Sequence, residues 1–512
     1  MSALIAILPT SCALLATPAG ERVLNISEVE NFGAIDADAD DLLRECFQDH
    51  PAYVAAKDQK KFLILGRKGS GKTAIFKRIL TERHPNEFSY GHSFDDYPWQ
   101  HHDLQAQVGV PEERRYFHSW KYLTLIGLAK VILNSDQSQP WSDESFESVQ
   151  ALEDFVVDSY GSRDPDVRQL FSPDKELRLK SVLKVPFFEL SGERVRVREL
   201  PPHIQEVNRA IQEHILRALN PDNSYYICFD QLDLGFVKSE ESYSQRLVGL
   251  ILAARDLFLA GRERGKKLNV VVFLRDDIYQ DLQFEDKNKI TENFTSVVQW
   301  NESGAGLTLK RLMESRFTNV LGEGGASVVP WEDVFDETRE MPSRQTKYKH
   351  ICDRTFLRPR DVIKFCNEVL EQYKSPLFAA RGQFDNEAVH EARSGYSDYL
   401  LNELDDEIAK HVPQYKEYLE VVKELGAMQF SLADFSAAWS RRSTLAEIPA
   451  KVGLAQLFEF SVVGYLKPGG RGGGSEYVWR YRDPRARFNA TSEVFRIHAG
   501  FKEALDLTRQ SV

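Results

Sequence analysis

Short, continuously apolar runs alternate with amphipathic segments through the first part of the chain. The apolar runs are too short for helices and are typical of strands buried on both faces of a parallel sheet. The amphipathic segments have the helical period of hydrophobic positions. The pattern therefore predicts an α/β fold in which helices cover both faces of a parallel sheet. The predicted strands are Phe62 to Leu65, Tyr225 to Phe229 and Asn269 to Leu274, and the predicted helices lie at about 72–81, 119–133, 204–219 and 243–259.

The other segments differ in pattern and predict further regions. Residues from about 89 to 200 are polar and aromatic, and most of them are predicted to form an insertion. Beyond about residue 304 the strands stop and helices dominate, one starting near Pro359 and another near Tyr396. Near the end, two β-like runs (462–466 and 477–481) flank a glycine-rich turn and predict a hairpin after helices, as in a winged-helix domain. We expect four parts: a tail (1–24), a core (25–302) with the insertion at about 89–200, a helical lid (303–415) and a winged-helix-like domain (416–512).

An acidic segment, IDADADD at 35–41, precedes the first predicted strand. A calcium loop of the EF-hand type needs a glycine at its sixth position and a glutamate at its twelfth, but Asp41 and Phe47 occupy these places. Acidic residues are favourable in the first turn of a helix. The segment is therefore predicted to begin a helix that continues through Leu43 and Cys46.

The composition indicates a chain with an apolar core and no membrane-spanning segment. Of its 512 residues, 42% are hydrophobic and 28% are charged. The first 16 residues are uncharged but short of the roughly 20 apolar residues that a span needs, and no basic residue precedes them as in a signal peptide. We expect them to be an unstructured tail or a misassigned start. The five cysteines have no metal-ligand spacing, which favours buried thiols in the cytoplasm.

The charge balance excludes a polyanion-binding surface along the whole chain, because the formal net charge is −12. The balance is uneven, since residues 430–512 contain 12 Lys and Arg against 8 Asp and Glu. A locally basic C-terminal domain is therefore one interpretation, and an ordinary solvated face is the other.

The most specific motif is GRKGSGKT at 66–73, which fits GxxxxGK[ST] and lies between a predicted strand and a predicted helix. Glycines let successive backbone N–H groups face a phosphate, and the helix N-terminus adds partial positive charge. Lys72 is expected to reach the β- and γ-phosphates, and the Thr73 hydroxyl to bind magnesium. The flanking elements disfavour a fortuitous glycine turn, so the motif predicts a site for a nucleoside triphosphate. Its predicted binding residues are Gly66, Lys68, Gly69, Ser70, Gly71, Lys72 and Thr73.

A second carboxylate follows the strand YYICF, where Asp230 completes the Walker B pattern and is expected to hold magnesium. Many ATPases place a glutamate directly after this aspartate to activate the attacking water, but this chain has Gln231 there. Asp233 is the candidate general base, with Gln231 as its water-orienting partner. The alternative for both residues is a structural cap at the end of the strand.

Three arginines are candidates for phosphate contacts. Arg275 follows the third predicted strand, where it can sense the γ-phosphate and stabilise transition-state charge, or form a salt bridge with Asp276 or Asp277. Arg358 and Arg360 flank Pro359 at the start of a predicted helix, a favourable place for proline. Either can reach back to the phosphates from the lid, or else pair with Asp361 and Glu368.

These elements in this order resemble the STAND and KAP-like P-loop ATPases with an additional sheet strand, and more loosely the AAA+ ATPases. The resemblance rests on Asn31-Phe32-Gly33, on GRKGSGKT, on the D-x-x-D formed by Asp230 and Asp233, on a strand ending in FLR, and on RPRD. It covers roughly residues 25–375 and the C-terminal region. It implies ATP and Mg²⁺ as cofactors, ATP rather than GTP, a homo-oligomer, and a gene setting near antiviral defence or mobile elements. Gln231 departs from branches that have an acid at this position.

Three functions follow as hypotheses. The first is a switch or assembly ATPase in which ATP closes the lid, hydrolysis releases it, and a separate partner or effector protein responds. The second is a nucleic-acid-dependent ATPase that contacts DNA or RNA through its winged helix. The third is a nucleotide sensor with negligible turnover, which the glutamine after the Walker B aspartate favours. The candidate phosphate contacts of the second are Arg471, Arg480, Arg482, Arg485 and Arg487.

Overall fold

The computed structural model describes most of the chain, namely residues 24–94, 103, 106, 112–172, 174–179, 182, 194–233, 241–300, 308–322, 327–342, 344–375, 382–409, 411–469 and 474–508. The described strands are β1 (Leu63–Gly66), β2 (Glu87–Ser93), β3 (Glu176–Arg178), β4 (Arg194–Arg196), β5 (Ser224–Asp230), β6 (Lys267–Arg275), β7 (Thr295–Val297), β8 (Gln429–Ser431), β9 (Val463–Lys467), β10 (Glu476–Val478) and β11 (Val494–Ile497).

The helices of the N-terminal half are α1 (Pro51–Lys57), α2 (Lys72–Thr81), α3 (Phe117–Asn134), α4 (Asp143–Tyr160), α5 (Val167–Leu170), α6 (Ile204–Ala218), α7 (Glu241–Glu263), α8 (Asp276–Asp281) and α9 (Lys287–Phe294). Those of the C-terminal half are α10 (Leu309–Leu321), α11 (Trp331–Val334), α12 (Lys347–Arg354), α13 (Pro359–Tyr373), α14 (Asn386–Ile408), α15 (Tyr415–Leu425), α16 (Leu432–Ser440) and α17 (Ala450–Glu459).

A five-stranded sheet with the order β2-β5-β6-β1-β7 forms the centre of the N-terminal half, and every described pairing in it is parallel. Alternate residues of β5 face opposite sides. Tyr225, Ile227 and Phe229 pack in a core that includes α3 and α7, whereas Tyr226 and Cys228 pack against α2. The predicted α/β fold with a parallel sheet between helices is confirmed. Because β6 lies between β1 and β5, the strand that ends in Asp230 is not adjacent to the strand that precedes the P-loop.

The two edge strands of this sheet were not predicted from the sequence. β2 pairs with β5 along its whole length, so the central sheet extends into residues that the pattern assigned to an insertion. Most β2 residues are only half-buried, which allows the polar sequence EFSYGHS at an edge. β7 has only three residues. α4 was also missed, although Ser142 caps it with a capping box, because its buried positions are interspersed with acids.

The predicted helix after the acidic segment is wrong. Residues 35–46 form turns and bends, and this stretch contains no helix. Asp40 is buried and pairs with Arg316 of α10, which is 276 positions away in the sequence. A tertiary ion pair thus determines the conformation of a segment whose local composition favours a helix start.

The C-terminal half has a second, continuous core that also includes the N-terminal residues Ile26 and Phe32. Its last part contains α15, α16 and α17 and an antiparallel sheet of order β10-β9-β11-β8. The predicted hairpin is confirmed as β9 and β10, with Tyr477 opposite Leu466. Helices followed by this hairpin are the winged-helix arrangement. Among the residues that the structure describes, no helix combines the length and the apolar content that crossing a membrane requires.

Candidate nucleotide site

The loop between β1 and α2 has the backbone conformation of a phosphate cradle. Gly69 and Gly71 have φ values of +76° and +103°, in the region that favours glycine, and Gly71 caps the N-terminus of α2. Trp300, which follows β7, stabilises the loop, because its ring nitrogen donates to the Ser70 carbonyl at 2.9 Å. The N–H groups at the start of α2 provide the donors and partial positive charge that an anion requires.

Lys72 lies inside this loop and bonds to the loop itself. Its Nζ donates to the carbonyls of Gly66 at 2.8 Å and Arg67 at 3.0 Å. Burial lowers the pKa of Lys72, and the carboxylates of Asp233 and Asp230 oppose this effect. A phosphate oxygen is a stronger partner for an ammonium than a neutral carbonyl, so the lysine is placed to exchange these contacts for a ligand.

Asp230 and Thr73 meet at the end of β5. The Thr73 side chain hydrogen-bonds the Asp230 carboxylate, while Oδ2 of Asp230 is buried without a hydrogen-bond partner. Burial raises the pKa of Asp230 to about 6, although Thr73 and Lys72 favour its charged form. An unpartnered carboxylate oxygen beside a hydroxyl fits Mg²⁺, which binds through one or two protein oxygens and keeps several waters. Within the described residues there is no cluster of three or more His, Cys, Asp or Glu side chains suited to another metal.

Gln231 and Asp233, the candidates for orienting and deprotonating the attacking water, each hydrogen-bond to another side chain of the protein. Gln231 has a left-handed backbone with φ of +58°, and the Ser93 hydroxyl at the end of β2 donates to its side-chain oxygen. Asp233 accepts a long hydrogen bond of 3.5 Å from Nη1 of Arg275. Ser93 was not identified from the sequence, although a hydroxyl at the end of a strand beside Walker B is a usable signal.

Arg275 is fixed mainly by Asp277. Its Nε and Nη2 donate to the two Asp277 oxygens at 3.0 and 2.6 Å, a bidentate pair. Burial disfavours the charge of Arg275, but Asp277 outweighs this and raises its pKa. Burial alone would raise the pKa of Asp277, and Arg275 instead lowers it to about 2. The salt bridge anticipated from the sequence is thus present, and Arg275 also contacts the candidate base.

A cavity of about 110 Å³ lies beside the loop, between the P-loop, the acidic segment and the start of α13. Gly69, Gly71, Lys72 and Thr73 line its phosphate side. Its other side combines apolar residues with charged ones, namely Asp36, Asp40, Arg316 and Arg360. The apolar residues were not identified from the sequence, because tertiary packing and not a local motif brings them to the site. They are Ala34, Ile35, Ala37, Leu43, Pro359 and Ile363. A cavity with the start of α2 on one side and mixed apolar and charged side chains on the other can take a ligand that carries phosphate.

Arg358 and Arg360 approach the loop from the start of α13, and both side chains hydrogen-bond to other groups of the protein. Arg358 is buried, forms a bidentate pair with Asp361, and donates to Glu407 at 2.8 Å and to the Lys68 carbonyl at 2.9 Å. Arg360 packs on Gly69 and donates to Glu403 at 3.0 Å. The sequence predicted ion pairs of these arginines with Asp361 and Glu368. Arg358 forms the pair with Asp361, whereas Glu368 pairs with Lys364.

The P-loop also contacts both later parts of the chain through its own side chains. Lys68 forms ion pairs with Glu403 and Asp406 of α14 at 3.5 and 3.1 Å. Arg67 donates to the Ser461 hydroxyl, between α17 and β9, at 2.9 Å. A movement of the loop therefore acts on the helical region and on the winged-helix region together.

The arginines of the C-terminal hairpin region are partly engaged. Arg480 pairs with Glu459 at 3.0 Å and donates to the Ala486 carbonyl at 3.0 Å. Arg482 pairs with Asp353 at 3.1 Å. Arg485 and Arg487 are exposed or partly exposed, and Arg471 lies outside the described residues. Two of the arginines predicted to contact nucleic-acid phosphates thus bind protein groups, Arg480 within the C-terminal domain and Arg482 between this domain and α12.

Comparison with known proteins adds one family and one distant structure. Residues 307–405 match the family model described as the FunZ-associated C-terminal helical domain, which corresponds to the segment from α10 into α14. The chain is similar to the crystal structure of Cdc6p from Pyrobaculum aerophilum at 10% identity, over 87% of this chain and 86% of that chain, with a TM-score of 0.27. No curated protein matches the chain. The parallel sheet, the loop geometry and the position of Asp230 are those of a P-loop NTPase core.

Proposed function

We propose that this protein is a magnesium-dependent ATPase that works as a switch, of the STAND and KAP-like kind. The observation that carries the proposal is the pairing of the P-loop with Asp230, whose Oδ2 is buried, unpartnered and next to Thr73. A buried carboxylate oxygen without a partner is costly, and a cation held with the nucleotide relieves that cost.

In this mechanism the backbone N–H groups of residues 69–73 bind the phosphates, and Lys72 transfers its donors from the loop carbonyls to them. Thr73 and Asp230 would hold Mg²⁺, which would neutralise negative charge on the bound phosphates. Asp233 takes the proton of the attacking water, Gln231 orients that water, and Arg275 stabilises charge that develops on the γ-phosphate. Asp233 must first leave Arg275 to act as a base.

The switching part of the proposal is supported by the contacts of Arg67, Lys68 and Arg358. They join the P-loop to α14 and to the winged-helix region. Phosphate binding reorganises the loop on which these contacts converge, so occupancy of the site biases the position of both regions. We further propose a homo-oligomer and a role in antiviral defence or a mobile element, both supported by the motif resemblance. The separate effector protein belongs to the switch hypothesis, and the cytoplasmic location is supported by the cysteine pattern.

A sensor with negligible turnover is a second candidate, because Arg275 engages Asp233 and Ser93 engages Gln231. Phosphate release from ATP separates the two functions. We would compare the wild type with the site variants Lys72→Ala and Asp233→Asn, each with and without DNA. The controls are Lys267→Ala and Asp222→Asn, at exposed positions at the start of β6 and just before β5. Turnover lost only in the first two variants supports the ATPase, and stimulation by DNA supports the nucleic-acid-dependent form. Tight ATP binding without turnover supports the sensor, and no ATP binding by the wild type contradicts both.

A further inference from the structure

The wall of the nucleotide cavity opposite the P-loop is a segment without helix or strand, residues 34–43, and α10 fixes it in place. Arg316 of α10 and Asp40 are both buried, with 3% and 9% of their surface exposed. Nη2 of Arg316 donates to Oδ2 of Asp40 at 2.6 Å and Nη1 donates to Oδ1 at 3.2 Å. Nη1 also donates to the Phe32 carbonyl at 2.9 Å, and Oδ1 accepts from the Ala34 N–H at 3.2 Å. One guanidinium thus orders the chain on both sides of the turn.

Gly33 makes this arrangement possible. Its φ is +108°, and a Cβ at this position would lie 1.7 Å from Nη1 of Arg316. The Asn367 side chain holds the same turn from α13, accepting from the Phe32 N–H at 2.8 Å and donating to the Gly33 carbonyl at 3.0 Å. Phe32 packs edge-to-face on Phe317. The segment is therefore anchored to the helical region through several independent contacts.

The clamp formed by Gly33, Asp40 and Arg316 lies outside the P-loop. Asp40 and Arg316 line the cavity together with Ile35 and Leu43, whereas the phosphate donors belong to the P-loop. Loss of the clamp should therefore release the wall formed by residues 34–43 and leave the phosphate cradle intact, because Trp300 and the packing of β1 and α2 hold the P-loop in place.

We propose that Arg316 is a positioning residue for the nucleoside end of the ligand. With Asp40 and Gly33 it holds residues 34–43 against the P-loop, so that the base and ribose bind a preformed wall. The inference rests on the proposed function, because it assigns a role at the same site. It predicts that the clamp contributes to the binding of a nucleotide and not to the binding of a bare polyphosphate, because preorganisation of a wall helps only the group that touches it.

Calorimetric titration of the full chain with two probes tests this role. The probes are ATP and inorganic tripolyphosphate, each with Mg²⁺, and the variants are Arg316→Met and Asp40→Asn. Arg316→Met keeps most of the side-chain volume, and Asp40→Asn keeps the shape of the carboxylate, so a folding failure of one leaves the other to decide. Lys310→Met on the same helix is the matched control, because it removes an exposed ion pair with Glu332. Thermal unfolding of every variant checks that the fold is retained.

We expect the clamp variants to weaken ATP binding at least about tenfold, because the wall must then be ordered when the nucleotide binds, and to leave tripolyphosphate binding within about twofold of the wild type. Lys310→Met should match the wild type for both probes. Equal weakening of both probes, or unchanged ATP binding in both clamp variants, would overturn the inference while the wild type still binds. If the wild type binds neither probe, the proposed function itself is wrong, and the inference with it.

Discussion

Replacing the buried Asp230 at the end of β5 should stabilise the protein in the absence of nucleotide while removing its response to magnesium. At neutral pH the native state holds an ionised Asp230 whose Oδ2 is buried and has no hydrogen-bond partner. Asparagine has nearly the same shape and can still accept from Thr73, but it carries no charge. Asp230→Asn therefore removes the desolvation penalty and keeps the packing of the end of β5.

The magnitude follows from the pKa of Asp230, which burial raises from 3.8 to about 6. At about 1.4 kcal/mol per pKa unit, this shift corresponds to about 3 kcal/mol. The sign follows from proton linkage, because between these two pKa values the native state binds a proton that the unfolded chain has released. The stability of the wild type therefore falls as the pH rises through this window, and the full cost is present above about pH 6.

Urea unfolding near pH 7.5 and near pH 5 measures this difference. We expect Asp230→Asn to be more stable than the wild type by about 3 kcal/mol at the higher pH and by about half of that at the lower pH. Asp222→Asn, an exposed substitution just before the same strand, is the control and should show little change at either pH. ATP with Mg²⁺ should stabilise the wild type and not Asp230→Asn.

Two results would refute the reasoning. If Asp230→Asn is less stable than the wild type near pH 7.5, the carboxylate is stabilised in the native state by contacts that outweigh its burial. If the variant is more stable by the same amount at both pH values, the gain does not come from the titration of Asp230.

Two further substitutions test the packing around the site. Glu407→Gln should destabilise the protein by about 1–3 kcal/mol, because the buried Arg358 loses one of its two anionic partners. Thermal unfolding checks this against Asp405→Asn, a half-exposed position on the same helix, and equal melting temperatures of the two variants would contradict the prediction. Gly453→Ala should lower the free energy of unfolding by about 1–3 kcal/mol through overpacking, because its Cβ would lie 2.1 Å from the Trp439 ring. The control is Gly474→Ala, whose Cβ meets nothing within 4 Å, and an equal loss of stability in both variants would contradict the packing argument.

The sequence alone predicted the parts of the site whose chemistry is local. The P-loop is one uninterrupted motif, and its glycines and the start of α2 follow from steric and hydrogen-bonding rules that act within a few residues. Asp230 was identified because a strand buried on both faces must be continuously apolar, so a terminal acid stands out. The same periodicity placed β1, β5, β6 and the helices α2 and α6 close to their observed bounds.

Tertiary structure decided what depends on residues distant in sequence. The acidic segment forms a cavity wall and not a helix, because Asp40 pairs with Arg316. This ion pair outweighs the local preference of acidic residues for the start of a helix. Likewise Glu407, and not Glu368, completes the pairing of Arg358, and β2 joins the sheet with polar residues that only an edge tolerates. Local patterns reflect backbone geometry and hydrophobic periodicity, whereas the partners of buried charges and the strands at a sheet edge are chosen by the packing of the whole chain.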